Sequence, residues 1–125
     1  DLSLRLRNKN VLIVDDNVTV QKLLYAILNK IGMTCLTADS GKTALDIIKS
    51  GRKIDMVLLD IQMPDMDGVT VLYKIREINP LMKIVAQTAH AFEEDKKKYI
   101  SIGFNGYISK PFNRNKILKT VSSLL

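Results

Sequence analysis

Two short, continuous apolar runs in this chain end on acids: Val11-Leu12-Ile13-Val14 runs into Asp15-Asp16, and Met56-Val57-Leu58-Leu59 runs into Asp60. An apolar run of this length bounded by polar residues reads as a strand buried on both faces, the pattern of a parallel sheet covered by helices. In open sheets of that kind, ligands bind beyond the carboxyl ends of the strands, where the chain order reverses. Two such ends would gather three carboxylates in one crevice. The cluster repels itself unless protons or a cation neutralise it. A hard divalent ion such as Mg²⁺, which takes carboxylate, carbonyl and water oxygens, is its natural occupant.

The rest of the chain alternates in the same way. Val20, Leu23, Leu24, Ile27, Leu28 and Ile31 follow helical spacing, and Gly32 ends the run. A strand over Met33 to Ala38 leads to a helix begun by Asp39-Ser40, carrying Ala44, Leu45, Ile47 and Ile48 and closed by Gly51. Beyond Asp60 the loop from Ile61 to Gly68 precedes a helix with Val69, Leu72 and Ile75, stopped by Asn79-Pro80. Lys83 to Gln87 makes a fourth strand ending at Thr88, and a helix runs from about His90 to Ile102 before Gly103. The last strand, Gly106 to Ser109, passes through Lys110-Pro111-Phe112 into a helix that buries Ile117, Leu118, Val121 and Leu124. Strands and helices in strict alternation with short links pair in parallel through right-handed crossovers, which predicts a doubly wound α/β sandwich.

With 125 residues the chain fits one domain. Residues 1–9, with Leu2, Leu4 and Leu6 alternating with polar residues and no turn signal, read as a linker or an expression remnant; residues 10–125 are the domain. The lone Cys35, in a strand-like stretch, reads as a small buried hydrophobe and permits no internal disulfide, which suits a reducing compartment. The apolar runs are too short for a bilayer, and the N-terminus lacks the apolar stretch of a signal peptide. A cytoplasmic domain without membrane contact is expected.

A net charge of +6 raises the question of nucleic acid, but its distribution matters more than its sum. No acid follows Asp95, whereas Lys96, Lys97, Lys98, Lys110, Arg114, Lys116 and Lys119 all lie in that last quarter. The chain is polarised into an acidic crevice and a basic C-terminal part. That part reads as a solvated helix face or a docking surface for an acidic partner, and direct nucleic acid binding is not expected.

Thr88 and Lys110, at the ends of the fourth and fifth strands, add a hydroxyl and an ammonium to the three acids. Asp60 can act as a nucleophile through its carboxylate, while Lys110 and Thr88 hold phosphoryl oxygens by charge-assisted and neutral hydrogen bonds. Taken singly, each residue has a plainer explanation: a helix cap for Asp15-Asp16 or Thr88, a surface lysine for Lys110, a solvated helix start for His90. Their joint position at the ends of alternate strands is what coincidence explains poorly.

These motifs, Asp15-Asp16, Leu59-Asp60-Ile61-Gln62-Met63-Pro64-Asp65-Met66-Asp67-Gly68, Thr88-Ala89 and Lys110-Pro111-Phe112, make the chain resemble a response-regulator receiver domain of two-component signalling, from Asn10 to Leu125. The resemblance implies a flavodoxin-like (βα)5 sandwich with a five-stranded parallel sheet. It implies that Asp60 accepts a phosphoryl group from a phosphohistidine, that Asp16, Asp60 and the Gln62 backbone carbonyl bind Mg²⁺ directly, and that Asp15 helps through water. Thr88 and Lys110 would contact the phosphoryl group, with the backbone amides of Ile61 and Ala89 nearby. Thr88 and Tyr107 would form the switch, the Lys110-Pro111 bond would be cis, and Gln62 and His90 would tune phosphoryl lifetime.

The stretch Gln87-Thr88-Ala89-His90-Ala91 and the tail Gly106 to Phe112 are similar to receivers of hybrid histidine kinases; stand-alone and transcription-factor receivers are the next readings. A histidine kinase or histidine phosphotransfer domain is then the expected partner, with room for a phosphorylation-dependent dimer. A different class, a magnesium-dependent hydrolase with an aspartyl-phosphate intermediate, resembles an Asp-x-Asp motif, and here Gln62 stands two after Asp60. A flavin module would want a hydroxyl-rich phosphate cradle after the first strand, which is not present.

Overall fold

A computed structural model describes residues 2–89 and 93–125. The elements run α1 (Leu2–Leu6), β1 (Asn10–Val14), α2 (Val18–Lys30), β2 (Thr34–Ala38), α3 (Gly41–Lys49), β3 (Met56–Asp60), α4 (Gly68–Ile78), β4 (Lys83–Thr88), α5 (Glu93–Ile102), β5 (Gly106–Ser109) and α6 (Arg114–Leu124). The strands form one sheet in the order β2-β1-β3-β4-β5, every pairing parallel. This is the flavodoxin-like order, and the doubly wound sandwich expected from the alternation of patterns is the fold observed.

Side-chain parity along the strands explains the two layers, because successive residues of a strand face opposite sides. Leu12 and Val14, Val57 and Leu59, and Ile84 and Ala86 share a core with Ala44, Leu45 and Ile48 of α3, Val71, Leu72 and Ile75 of α4, and Tyr99 of α5. Val11 and Ile13, Met56 and Leu58, and Val85 point the other way, to Leu24 and Leu28 of α2 and Ile117 and Val121 of α6. Helices α2 and α4 therefore leave β1 and β3 toward opposite faces. The crevice opens between those two strand ends, and the acids stand there.

Local chemistry sets the helix boundaries. Asn17 accepts from the Thr19 and Val20 amides, Ser40 from Thr43, Asp67 from Thr70 and Asn113 from Lys116, each a side chain capping a helix start. After α2, Gly32 takes φ +93°, the left-handed conformation that closes a helix at low cost. The start of the helix expected from His90 lies outside the described residues.

Two details differ from the sequence reading. Where the pattern over residues 1–9 suggests a linker or remnant, the structure has a one-turn helix, α1. Its Leu6 is fully buried in the α2/α6 core and its Arg5 donates to the Ser122 carbonyl at 2.7 Å. Cys35, expected to be buried, is only partly so on the edge strand β2, though desolvation still lifts its thiol to about 11. Among the described residues, no helix is long and apolar enough to cross a membrane.

Candidate functional site at the carboxyl ends of the strands

Register lines up the polar residues. Val14 pairs with Leu59, so Asp15 and Asp60 are the next step along β1 and β3; Asp60 pairs with Gln87 and Thr88 with Ser109, directly before Lys110. Chain geometry thus brings four strand ends to one place. One carboxylate oxygen from each of Asp15, Asp16 and Asp60 lies within 4.8 Å of the other two. Asp15 and Asp60 are buried while Asp16 is exposed, so the cluster opens to solvent on the Asp16 side.

Among the described residues, one cation faces this group. Lys110 Nζ lies 3.1 Å from Asp15 Oδ2 and 3.6 Å from Asp60 Oδ1. Asp15 is held further: its Oδ1 accepts from the Asn17 amide at 2.8 Å, its Oδ2 from Gln87 Nε2 at 2.9 Å, and its carbonyl from Gln21 Nε2 at 2.6 Å. Asp60 Oδ1 accepts the Gln62 amide at 3.2 Å. Burial first, then the neighbouring Asp15 and to a smaller extent Asp16, push the Asp60 carboxyl up while Lys110 and the Gln62 amide pull it down, and the balance leaves it at about 6. Three carboxylates against one ammonium leave a net negative crevice. Its chemistry fits a hard divalent cation, and with that charge balanced it fits an anion approaching Asp60.

The remaining candidates distribute as follows. Thr88 is buried at the end of β4, and the Lys110 amide donates to its carbonyl at 2.7 Å. Gln62 is exposed, as is Ala89. The Ile61 amide, expected at the phosphoryl group, instead donates to the Gln87 carbonyl at 3.1 Å, so that role would require sharing this bond. Tyr107 is half-buried, its ring stacked on Tyr99 with centroids 6.0 Å apart. The Lys110-Pro111 bond is cis. His90 lies outside the described residues.

Gln87, to which the sequence alone attaches no chemistry, joins β4 to Asp15. The available signal was a polar side chain closing the run Ile84-Val85-Ala86. Gly68 closes the motif that follows Asp60, and the structure gives the reason for a glycine there. A Cβ there would stand 2.7 Å from both the Asp60 carbonyl oxygen and Ile61 Cα.

Comparison with known proteins bears on this geometry. The family described as response regulator receiver domain matches residues 11–122. Hybrid signal transduction histidine kinase I of Dictyostelium discoideum is 34% identical over 123 residues, covering 92% of this chain but only 7% of that protein. Two-component response regulator 24 of Arabidopsis thaliana is 33% identical over 113 residues, 90% of this chain and 81% of that protein. Among solved structures, a chain of the CheX-CheY-BeF3-Mg+2 complex from Borrelia burgdorferi superposes with a TM-score of 0.89 at 36% identity, over 95% of each chain.

Proposed function

The chain belongs to the response regulator receiver domain family of two-component signalling, and from that premise we propose that Asp60 is its phosphoacceptor, in a Mg²⁺-dependent reaction with a phosphohistidine donor. Asp15, Asp16 and Asp60, with the Gln62 backbone carbonyl, would hold the cation. When bound, it supplies positive charge that offsets the repulsion between phosphoryl oxygens and carboxylates. The observation that carries the reading is the Lys110 ammonium set against both Asp15 and Asp60, beside a third carboxylate within 4.8 Å.

In the transfer, an Asp60 carboxylate oxygen forms a bond to phosphorus as the phosphorus–nitrogen bond of the donor breaks, and the electron pair stays on the departing imidazole nitrogen. Lys110 Nζ and the Thr88 hydroxyl donate to phosphoryl oxygens, replacing contacts that Lys110 otherwise makes to Asp15 and Asp60. Attack by water on the acyl phosphate later returns free phosphate and the Asp60 carboxylate. Movement of Thr88 toward the phosphoryl group and inward turning of Tyr107 shift an existing equilibrium on the face of α5, β5 and α6. Gln62 and His90 set how long the phosphoryl group lasts.

The donor is a histidine kinase or a histidine phosphotransfer domain, and the parent protein is a hybrid kinase, the class to which one relative matched over 92% of this chain belongs. Intact-mass analysis after incubation with a small-molecule phosphodonor should show one added phosphoryl mass. Asp60→Asn and excess chelator should each abolish it. Undiminished labelling of the variant, or in chelator, refutes the assignment of Asp60 or of the metal respectively.

A further inference from the structure

β4 is buried along most of its length, and Gln87 is a fully buried polar residue within it. Gln87 stands in register with Asp60, its carbonyl accepts the Ile61 amide, and its side chain reaches β1, where Nε2 donates to Asp15 Oδ2 at 2.9 Å. The same oxygen faces Lys110 Nζ at 3.1 Å, while Asn17 holds Asp15 Oδ1. An ionised carboxylate accepts only, so the nitrogen end of the amide must face Asp15, and that choice fixes where the other end goes. Gln87 Oε1 is buried with no hydrogen-bond partner among the described residues. A leucine or methionine would fill the space without an orphaned acceptor, so packing alone does not account for an amide.

We propose that Gln87 is a positioning residue for divalent-cation binding, fixing the Asp15 carboxylate beside Asp16 and Asp60 through its side-chain amide. The proposal rests on the reading of those three acids as the cation site. Lys110 also holds Asp15 Oδ2, but it is the group drawn to an anion on Asp60. Gln87 lies near the end of a strand that is paired on both sides, carries no charge and has no such competing task. With the Asn17 amide on Oδ1, it is the donor that keeps Oδ2 of Asp15 oriented when the lysine turns. Partners that orient a metal-binding carboxylate act through that carboxylate, so the effect of removing Gln87 must depend on Asp15.

The test is a double-mutant cycle read as the Mg²⁺ dissociation constant, by calorimetric titration near neutral pH in the absence of any phosphodonor. Gln87→Leu should weaken Mg²⁺ binding by about tenfold in the parent background and by less than about twofold in Asp15→Asn. Gln87→Met removes the same amide on a flexible chain and serves if the leucine variant does not fold. Equal affinity of parent and Gln87 variants, or equal loss in both backgrounds, overturns the proposal while leaving the metal site standing. Failure of the parent domain itself to bind Mg²⁺ overturns the site, and the proposal with it.

Discussion

Burial, with Asp15 adding to it, holds the Asp60 carboxyl up from 3.8 to about 6, despite the opposing pull of Lys110 and the Gln62 amide. A carboxyl whose folded value is raised keeps its proton longer in the folded state than in the unfolded chain. As pH rises from about 4 to about 6, the unfolded chain therefore loses this proton first, and stability falls across that window. Below it the penalty is absent; above it the penalty is complete. Asp60→Asn removes the buried charge, so in chelator the variant should be more stable than the parent above pH 6 by on the order of 1–3 kcal/mol, with the gap closing toward pH 4. Urea unfolding across this range reads it, and a gap that widens on acidification contradicts the argument. Excess Mg²⁺ should narrow the gap near neutral pH, because a ligand of the folded parent stabilises it. The residues behind this prediction were legible in the sequence, since each acid closes an apolar run. Gln87 was not: its partner Asp15 lies 72 positions away, and one polar residue at a strand end reads as a boundary until the register places it.

At the scale of elements, the start of α4 is built against the end of β3. The Gly68 amide donates to the Ile61 carbonyl at 2.8 Å, and a Cβ on Gly68 would collide with the backbone of Asp60 and Ile61 at 2.7 Å. Close approach, not an unusual backbone angle, is what demands glycine here, and backbone cannot move aside as a side-chain tip can. Gly68→Ala should cost about 1–3 kcal/mol in denaturant unfolding and slow labelling by a small phosphodonor, because the forced shift falls on Asp60 itself. Parent-like stability and labelling would show that α4 yields instead. The helices themselves were legible where periodic apolar residues and end signals agree, as from Val20 to Gly32. Helix α1 was not, because five residues carry too little intrinsic signal. What decides it is burial of Leu6 and the bond from Arg5 to α6, contacts with the far end of the chain.

Over the whole molecule, charge is separated by the fold as well as by the sequence. Asp15, Asp16 and Asp60 gather at the strand ends, while Lys96, Lys97 and Lys98 of α5 and Lys116 and Lys119 of α6 are exposed. Lys96, Lys116 and Lys119 line a groove of about 470 Å³ beside Tyr107. Exposed charges of this kind speed encounter more than they hold a complex, and salt screens them over roughly 8 Å at physiological ionic strength. Lys98 differs from its neighbours, since its ammonium lies 5.9 Å from the centre of the Tyr99 ring that stacks on Tyr107. Neutralising Lys96 and Lys97 together, with Lys98 kept, therefore separates docking from the aromatic pair. The variant should be phosphorylated more slowly by a phosphohistidine protein at low salt, by about two- to tenfold, and the difference should fade as salt rises. Labelling by a small phosphodonor, which meets only the crevice, should stay at the parent rate. If the small-donor rate falls equally, these lysines act on the acidic crevice, and the division of the molecule into a reacting end and a basic docking face is wrong.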